Sequence, residues 1–274
     1  MPFTLSHPAA VLPLLSGVRG RGPLVASALV AGSMAPDVPF FAASLRPGLY
    51  RHGALTHRWW AVPTLDVAIA GALVAGWYGV RVPLLALLPD PWAAAATAAT
   101  APSGRRPGGG EAAAFALSAA VGAATHVGWD AFTHQGRAGV RLLPALNREV
   151  AGVPLYTVLQ YGTSALALGG LGRYLARELP VAPPAPATRP PSPATLPPVS
   201  GGRGAGRRLL GAAAVLGAAH RVARSARVRG PGQPRSLIAD LCFGAGAGAA
   251  AGAVLLAARR RSSQPQARAA QACA

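Results

Sequence analysis

The sequence predicts an all-α fold: a multi-pass transmembrane helix bundle of four or five spans with a Pro-rich disordered linker. Three observations carry this. Of 274 residues, 51% are hydrophobic and only 12% charged, where a soluble domain carries roughly 25% charged residues. The apolar residues gather in runs close to the ~20 residues a helix needs to cross a bilayer. A separate stretch, Pro180–Pro198, holds too much proline for any regular helix. A soluble chain this poor in charge would struggle to cover its surface, whereas lipid-facing helices need no charge.

Taken in order, Met1–Gly20 has no basic segment ahead of its apolar residues. No cleaved signal peptide is therefore expected, and His7 stays in the mature chain. Residues Met1–Trp60 are broken by Pro8, Pro13, Pro36 and Pro39. Two short apolar helices and a Pro-Asp turn suit them, and the prolines on either side stiffen the backbone at Asp37. Ala61–Val80 is the first expected span, with Asp66 inside it. Pro83–Leu88 extends it or lies at the surface, and Ala101–Gly110 is a flexible connection. Ala112–Trp129 and Pro154–Gly172 are the second and third spans. Leu209–Ala219 is a short span or an interfacial helix. Leu237–Ala258, holding Asp240, is the last span, and its Gly244, Gly248 and Gly252 lie on one face. That face suits close helix packing or is simply part of a Gly/Ala-rich helix. Residues 1–179 thus form a membrane-embedded core and 180–208 a linker that limited proteolysis should cut first, at Arg189 or Arg203. Residues 209–274 form C-terminal membrane helices and a basic tail.

The net charge of +18 comes entirely from arginine, since the chain has no lysine. The arginines are scattered over many loops without interleaved aromatics, so nucleic acid is not an expected partner. Membrane lipids are, through headgroup contacts beside the spans. With five spans the arginines divide thirteen to each face, so charge does not orient the protein. Cys242 and Cys273 form no CxxC pair and suggest neither a zinc ribbon nor a disulfide framework.

Chemistry concentrates in the histidines: five of the six lie in the first half of the chain. His126, Asp130 and His134 are spaced four apart and would line one helix face, where imidazole nitrogen and carboxylate oxygen can chelate one ion. If the first two spans are antiparallel, His57 before the first meets His126 and Asp130 at the end of the second. Tyr156 and Gln160, opening the third span, come to that face as substrate-side or outer-sphere groups. Asp66 would either orient a ligating histidine or pair with an arginine. His52 and His220, each beside an arginine, are expected elsewhere. Ser6 adjoins His7, but adjacent residues rarely face each other, which disfavours a serine nucleophile.

The segments MPFTLSHPAAVLPL, SALVAGSMAPDVPFF, THRWWAVPTLDVAIAG, HVGWDAFTH and PLYTVLQYGTSALAL, in that order, resemble a bacterial membrane family catalogued as domain of unknown function 4184. The resemblance covers about residues 1–175. The pattern is also distantly similar to membrane-bound metal-dependent hydrolases and zinc-dependent phospholipase C. That likeness implies an ordered ligand series of His7, Asp37, His57, His126 and Asp130, with His134 as an addition. Arg58-Trp59-Trp60 departs from the small or aliphatic residues more usual after the third ligand.

Together these readings give a divalent-metal site, zinc first and manganese or iron as alternatives. Its ligands would be Asp37, His57, His126 and Asp130, with His7 or His134 completing a second position. Asp37 or Asp130 would accept a proton. The expected activity is metal-dependent hydrolysis of a lipid or lipid-linked phosphodiester by an integral protein of the bacterial inner membrane. The alternative is a non-catalytic structural or transport-related protein with a polar His/Asp cluster.

Overall fold

The computed structural model describes residues 3–102, 108–179, 202–228 and 237–272. The described chain is almost entirely helical and forms two compact units. The first comprises Met1–Ala43, Gly48–Val74 and Gly104–Leu179, the second Ser44–Pro47, Ala75–Ser103 and Pro180–Ala274.

The first unit opens with a 3-10 helix, Thr4–Leu14, in which Pro8 and Pro13 remove two donors from any α-helical ladder. The two-residue strands β1 (Leu15–Ser16) and β2 (Arg19–Gly20) pair as a hairpin. Helix α1 (Ala26–Met34) runs into a 3-10 turn, Ala35–Asp37, and then into α2 (Val38–Ala42). After a 3-10 turn at Pro47–His52 comes the short α3 (Gly53–Thr56). Two short helices around a Pro-Asp turn were the expectation for this region.

The first long helix, α4 (Leu65–Leu85), starts four residues later than Ala61 because the chain turns through 57–64, around Pro63. It also runs through Pro83, taking in part of the segment that was expected to extend it or lie at the surface. Helix α5 (Asp90–Ala99), which belongs to the second unit, follows. Helix α6 (Gly109–Thr133) is longer than its apolar run at both ends. At its start the Glu111 carboxylate accepts from the Gly108 N–H at 3.0 Å, satisfying one donor at the helix N-terminus. Its far end therefore carries Asp130 within the helix. After α7 (Ala138–Leu142), a 3-10 turn at Pro144–Asn147 and the paired β3 (Glu149–Val150) and β4 (Val153–Pro154), α8 (Leu155–Glu178) closes the unit.

The core of this unit is small-residue packing. Ala28, Ala31, Ala35, Ala70 and Ala119 are buried together. A β-carbon on Gly32 would fall 2.1 Å from the Ala119 carbonyl oxygen, and one on Gly122 would fall 2.2 Å from that of Leu29. Two glycines thus bring the α1 and α6 backbones into direct contact, as small residues do in membrane bundles.

In the second unit, α9 (Gly202–Val228) and α10 (Leu237–Ala272) pack closely. Residues 180–201 of the expected linker lie outside the described residues, but 202–208 belong to α9. Arg203, expected as a protease site, binds Asp90 and the Ala86 carbonyl from within that helix. A β-carbon on Gly244 would lie 2.6 Å from the Gly217 oxygen, and one on Gly248 2.0 Å from that of Ala213. The glycine face of the last helix is thus a packing face. Arg221 is buried, pairing with Asp240 at 3.1 Å and donating to Ser44 Oγ at 2.8 Å.

Among the described residues, three helices are long and apolar enough to cross a membrane: Leu65–Leu85, Gly109–Thr133 and Leu237–Ser262. Helix α8, the expected third span, has the length but carries Arg173, Arg177 and Glu178 near its end. Leu209–Ala219 is the apolar middle of a 27-residue helix with arginines toward both ends.

Candidate metal centre

Asp37, His57, His126 and Asp130 converge in the first unit. Each offers one ligand atom, these atoms all lie within 4.8 Å of one another, and all four residues are buried. Three segments supply them. Asp37 ends the turn after α1, and His57 follows α3. His126 and Asp130 stand one turn apart on α6. Their relative exposures are 1, 5, 0 and 2% in chain order.

The spacing is that of ligands rather than hydrogen-bonded pairs. His57 Nε2 lies 3.6 Å from Asp37 Oδ1 and 3.2 Å from Asp130 Oδ2, and His126 Nε2 lies 3.6 Å from each. A charged imidazole–carboxylate hydrogen bond would close to about 2.7–2.9 Å. A tetrahedron with ligand bonds of ~2.0–2.2 Å has edges of about 3.3–3.6 Å. His57 Nε2, His126 Nε2 and Asp37 Oδ1 are all buried without a hydrogen-bond partner. Buried polar atoms are seldom left so, and several in one place fit an ion among them.

The other face of each imidazole supports this. His57 Nδ1 contacts the Gly53 carbonyl at 2.7 Å, and His126 Nδ1 contacts the Ser33 carbonyl at 2.7 Å. A carbonyl only accepts, so Nδ1 carries the proton in both rings. Each Nε2 then presents a lone pair to the centre, as ligating histidines do. Gly122, one turn before His126, allows the approach of α1 that puts Ser33 in range. The remaining Asp37 oxygen, Oδ2, accepts from Thr4 Oγ1 at 2.5 Å. Thr56 Oγ1 donates to the Pro36 carbonyl at 2.6 Å, tying the neighbour of His57 to the neighbour of Asp37.

His7 and His134 flank the group. His7 is fully buried, its ring 3.6 Å from that of His126 and nearly parallel to it. Its Nε2 lies 3.6 Å from Asp130 Oδ1, and His134 Nδ1 lies 3.5 Å from the same oxygen. Burial, reinforced by His126, pushes the His7 imidazole down to about 3. Burial pushes His134 down to about 4. Both are neutral at neutral pH, with unpartnered buried nitrogens.

Of the remaining expected residues, Asp66 is fully buried, and neither carboxylate oxygen has a hydrogen-bond partner among the described residues. It hydrogen-bonds neither an arginine nor a ligating histidine there. The two imidazoles and Asp37 are held instead by Gly53, Ser33 and Thr4. The two carbonyls left no trace in side-chain chemistry, whereas Thr4 stands in the opening motif three residues before His7. Gln160 is buried with its Nε2 unpartnered, and Ser164 donates to its backbone carbonyl. Tyr156 is half-buried at the start of α8. No hydrogen bond joins either to the four central residues among the described residues. Ser6 donates to the Phe3 carbonyl at 2.7 Å, not to His7. His52 and His220 are not part of the group, and His220 is exposed on α9.

A family model described as Domain of unknown function (DUF4184) matches residues 1–257. No curated protein and no solved structure matches the chain. The chain belongs to the DUF4184 family.

Proposed function

We propose that this chain is an integral protein of the bacterial cell membrane that holds one divalent ion at Asp37, His57, His126 and Asp130, and hydrolyses a lipid or lipid-linked phosphodiester. The observation that carries the reading is the pair of imidazoles fixed through Nδ1 to backbone carbonyls, with both Nε2 atoms at ligand spacing from two carboxylates. The mixed nitrogen and oxygen set suits zinc, with manganese or iron as alternatives. An ion bound there would supply Lewis acidity toward a phosphoryl or ester oxygen.

The chain's own groups divide the rest of the work. Thr4 engages one oxygen of Asp37, which leaves that carboxylate to orient and ligate. Asp130 directs one oxygen toward His57 and His126, while the other, buried and unpartnered, faces His7 and His134. That free oxygen is the proton acceptor when water attacks the phosphodiester. Water adds across the P–O bond, giving an alcohol and a phosphomonoester. Helix α8 serves as a fourth span and α9 lies in the interface.

One observation favours a second reading. The four residues are at most 5% exposed, as in a structural site closed by protein ligands. The test has three parts. Alkaline carbonate should leave the protein in the membrane pellet, and release into the soluble fraction rejects the membrane assignment. Elemental analysis of the detergent-purified protein should find about one divalent ion per chain. Loaded protein should then release phosphomonoester from phospholipid vesicles. A tightly held ion without turnover on any phosphodiester selects the structural site.

A further inference from the structure

We infer that the end of the first unit holding the Asp/His group lies in an anionic phospholipid headgroup layer, and that an arginine–tryptophan rim there gathers anionic phospholipid over the group. This deepens the proposed function by naming its lipid class, and rests on that reading only for what lies beneath the rim.

Two segments build this end. Residues 48–64 carry His57 into the group, and residues 132–154 continue α6 past Asp130. His57 Nε2 and Asp130 Oδ2, 3.2 Å apart, bring the segments together. Helix α7 folds back beside the end of α6, since a β-carbon on Gly139 would fall 2.6 Å from the Phe132 ring.

What these segments expose is unusual for a water-facing surface. Trp59 and Trp60, directly after His57, are 59 and 53% exposed, and Leu142 on α7 is 76% exposed. Consecutive exposed indoles belong at headgroup depth, where an apolar ring and a polar N–H are both accommodated. The depth is set independently, because α4 begins and α6 ends here and both are long and apolar enough to span. Arg51, Arg58, Arg141 and Arg148 are exposed in the same segments, and Glu149 is the only acidic residue in either. This imbalance selects an anionic headgroup over a zwitterionic one, and guanidinium groups bind phosphate through paired donors.

The experiment uses the full chain in nanodiscs of mixed phosphatidylcholine and phosphatidylglycerol, with one lipid or the other brominated high on its acyl chains. Fluorescence lost in the W59F/W60F variant isolates the two rim tryptophans. Their quenching should be at least twofold greater when phosphatidylglycerol carries the bromine at equal mole fraction. The R58Q/R148Q variant should bring the two lipids to equality, and R58K/R148K should keep the preference. Equal quenching by both lipids in the native chain overturns the proposal, as does quenching by aqueous iodide without quenching by either lipid. Metal content measured on the same samples separates the two readings. Enrichment without bound metal supports the rim and rejects the metal centre, and bound metal without enrichment does the reverse.

Discussion

His126 Nδ1 donates to the carbonyl of Ser33 at 2.7 Å, so a residue of α1 fixes which nitrogen of an α6 imidazole faces Asp37, His57 and Asp130. The contact spans 93 residues of sequence and makes the site a property of helix packing as much as of ligand identity.

His126→Ala should abolish metal binding, as measured by elemental analysis, while the protein stays in the membrane fraction. The spans do not depend on that side chain. His220→Ala, on an exposed position of α9, should change neither. Full metal occupancy in His126→Ala would reject the ligand assignment.

Removing the ion with a chelator should lower the thermal midpoint of the detergent-solubilised protein, and adding zinc back should restore it. An ion at a hundredfold excess over its Kd stabilises by about 2.7 kcal/mol. Affinity should fall as the solution is acidified, because imidazole binds metal only when unprotonated. A midpoint indifferent to chelation, in protein shown to contain the ion, would count against the site.

Gly122→Leu should be destabilising, costing about 1–3 kcal/mol from overpacking, and should weaken metal binding by separating α1 from α6. A side chain there meets the Leu29 carbonyl at 2.2 Å, whereas Gly128 faces open space and Gly128→Ala should be silent. Thermal unfolding and metal titration of the pair test this. Unchanged binding in Gly122→Leu would separate the site from the helix contact.

Asp66→Asn should leave metal content intact and stability equal or higher. The native carboxylate is fully buried with neither oxygen hydrogen-bonded among the described residues, and a neutral amide of the same shape costs less to bury than an unpaired charge. Loss of metal in this variant would bring Asp66 into the centre.

The legible part of the site was its local geometry. Four-residue spacing on α6 set His126 and Asp130 on one face, and the alternation of apolar runs brought His57 to the same end. The Ser33 and Gly53 carbonyls were invisible, because every residue has a carbonyl and only the fold says which ones meet an imidazole. Gly32 and Gly122 carry no hydropathy signal, so their contact was equally hidden. The helix limits moved for identifiable reasons. Pro63 and the turn around it delay α4, and polar termini extend α6 beyond its apolar run. In the sequence Arg203 read as a cleavage site, in a linker that also took in Arg207. In the structure they donate to the Ala86 and Leu87 carbonyls just past the end of α4, where helix oxygens lack intrahelical donors.

The latch between Thr56 and the Pro36 carbonyl divides the Asp/His group into two halves. Asp37 and His57 come from a pair of segments tied to each other, and His126 and Asp130 come from α6 alone. The four side chains meet only where that helix is seated against the latched pair, so anything that reads the group, such as a probe ion, also reads whether the helix is in place.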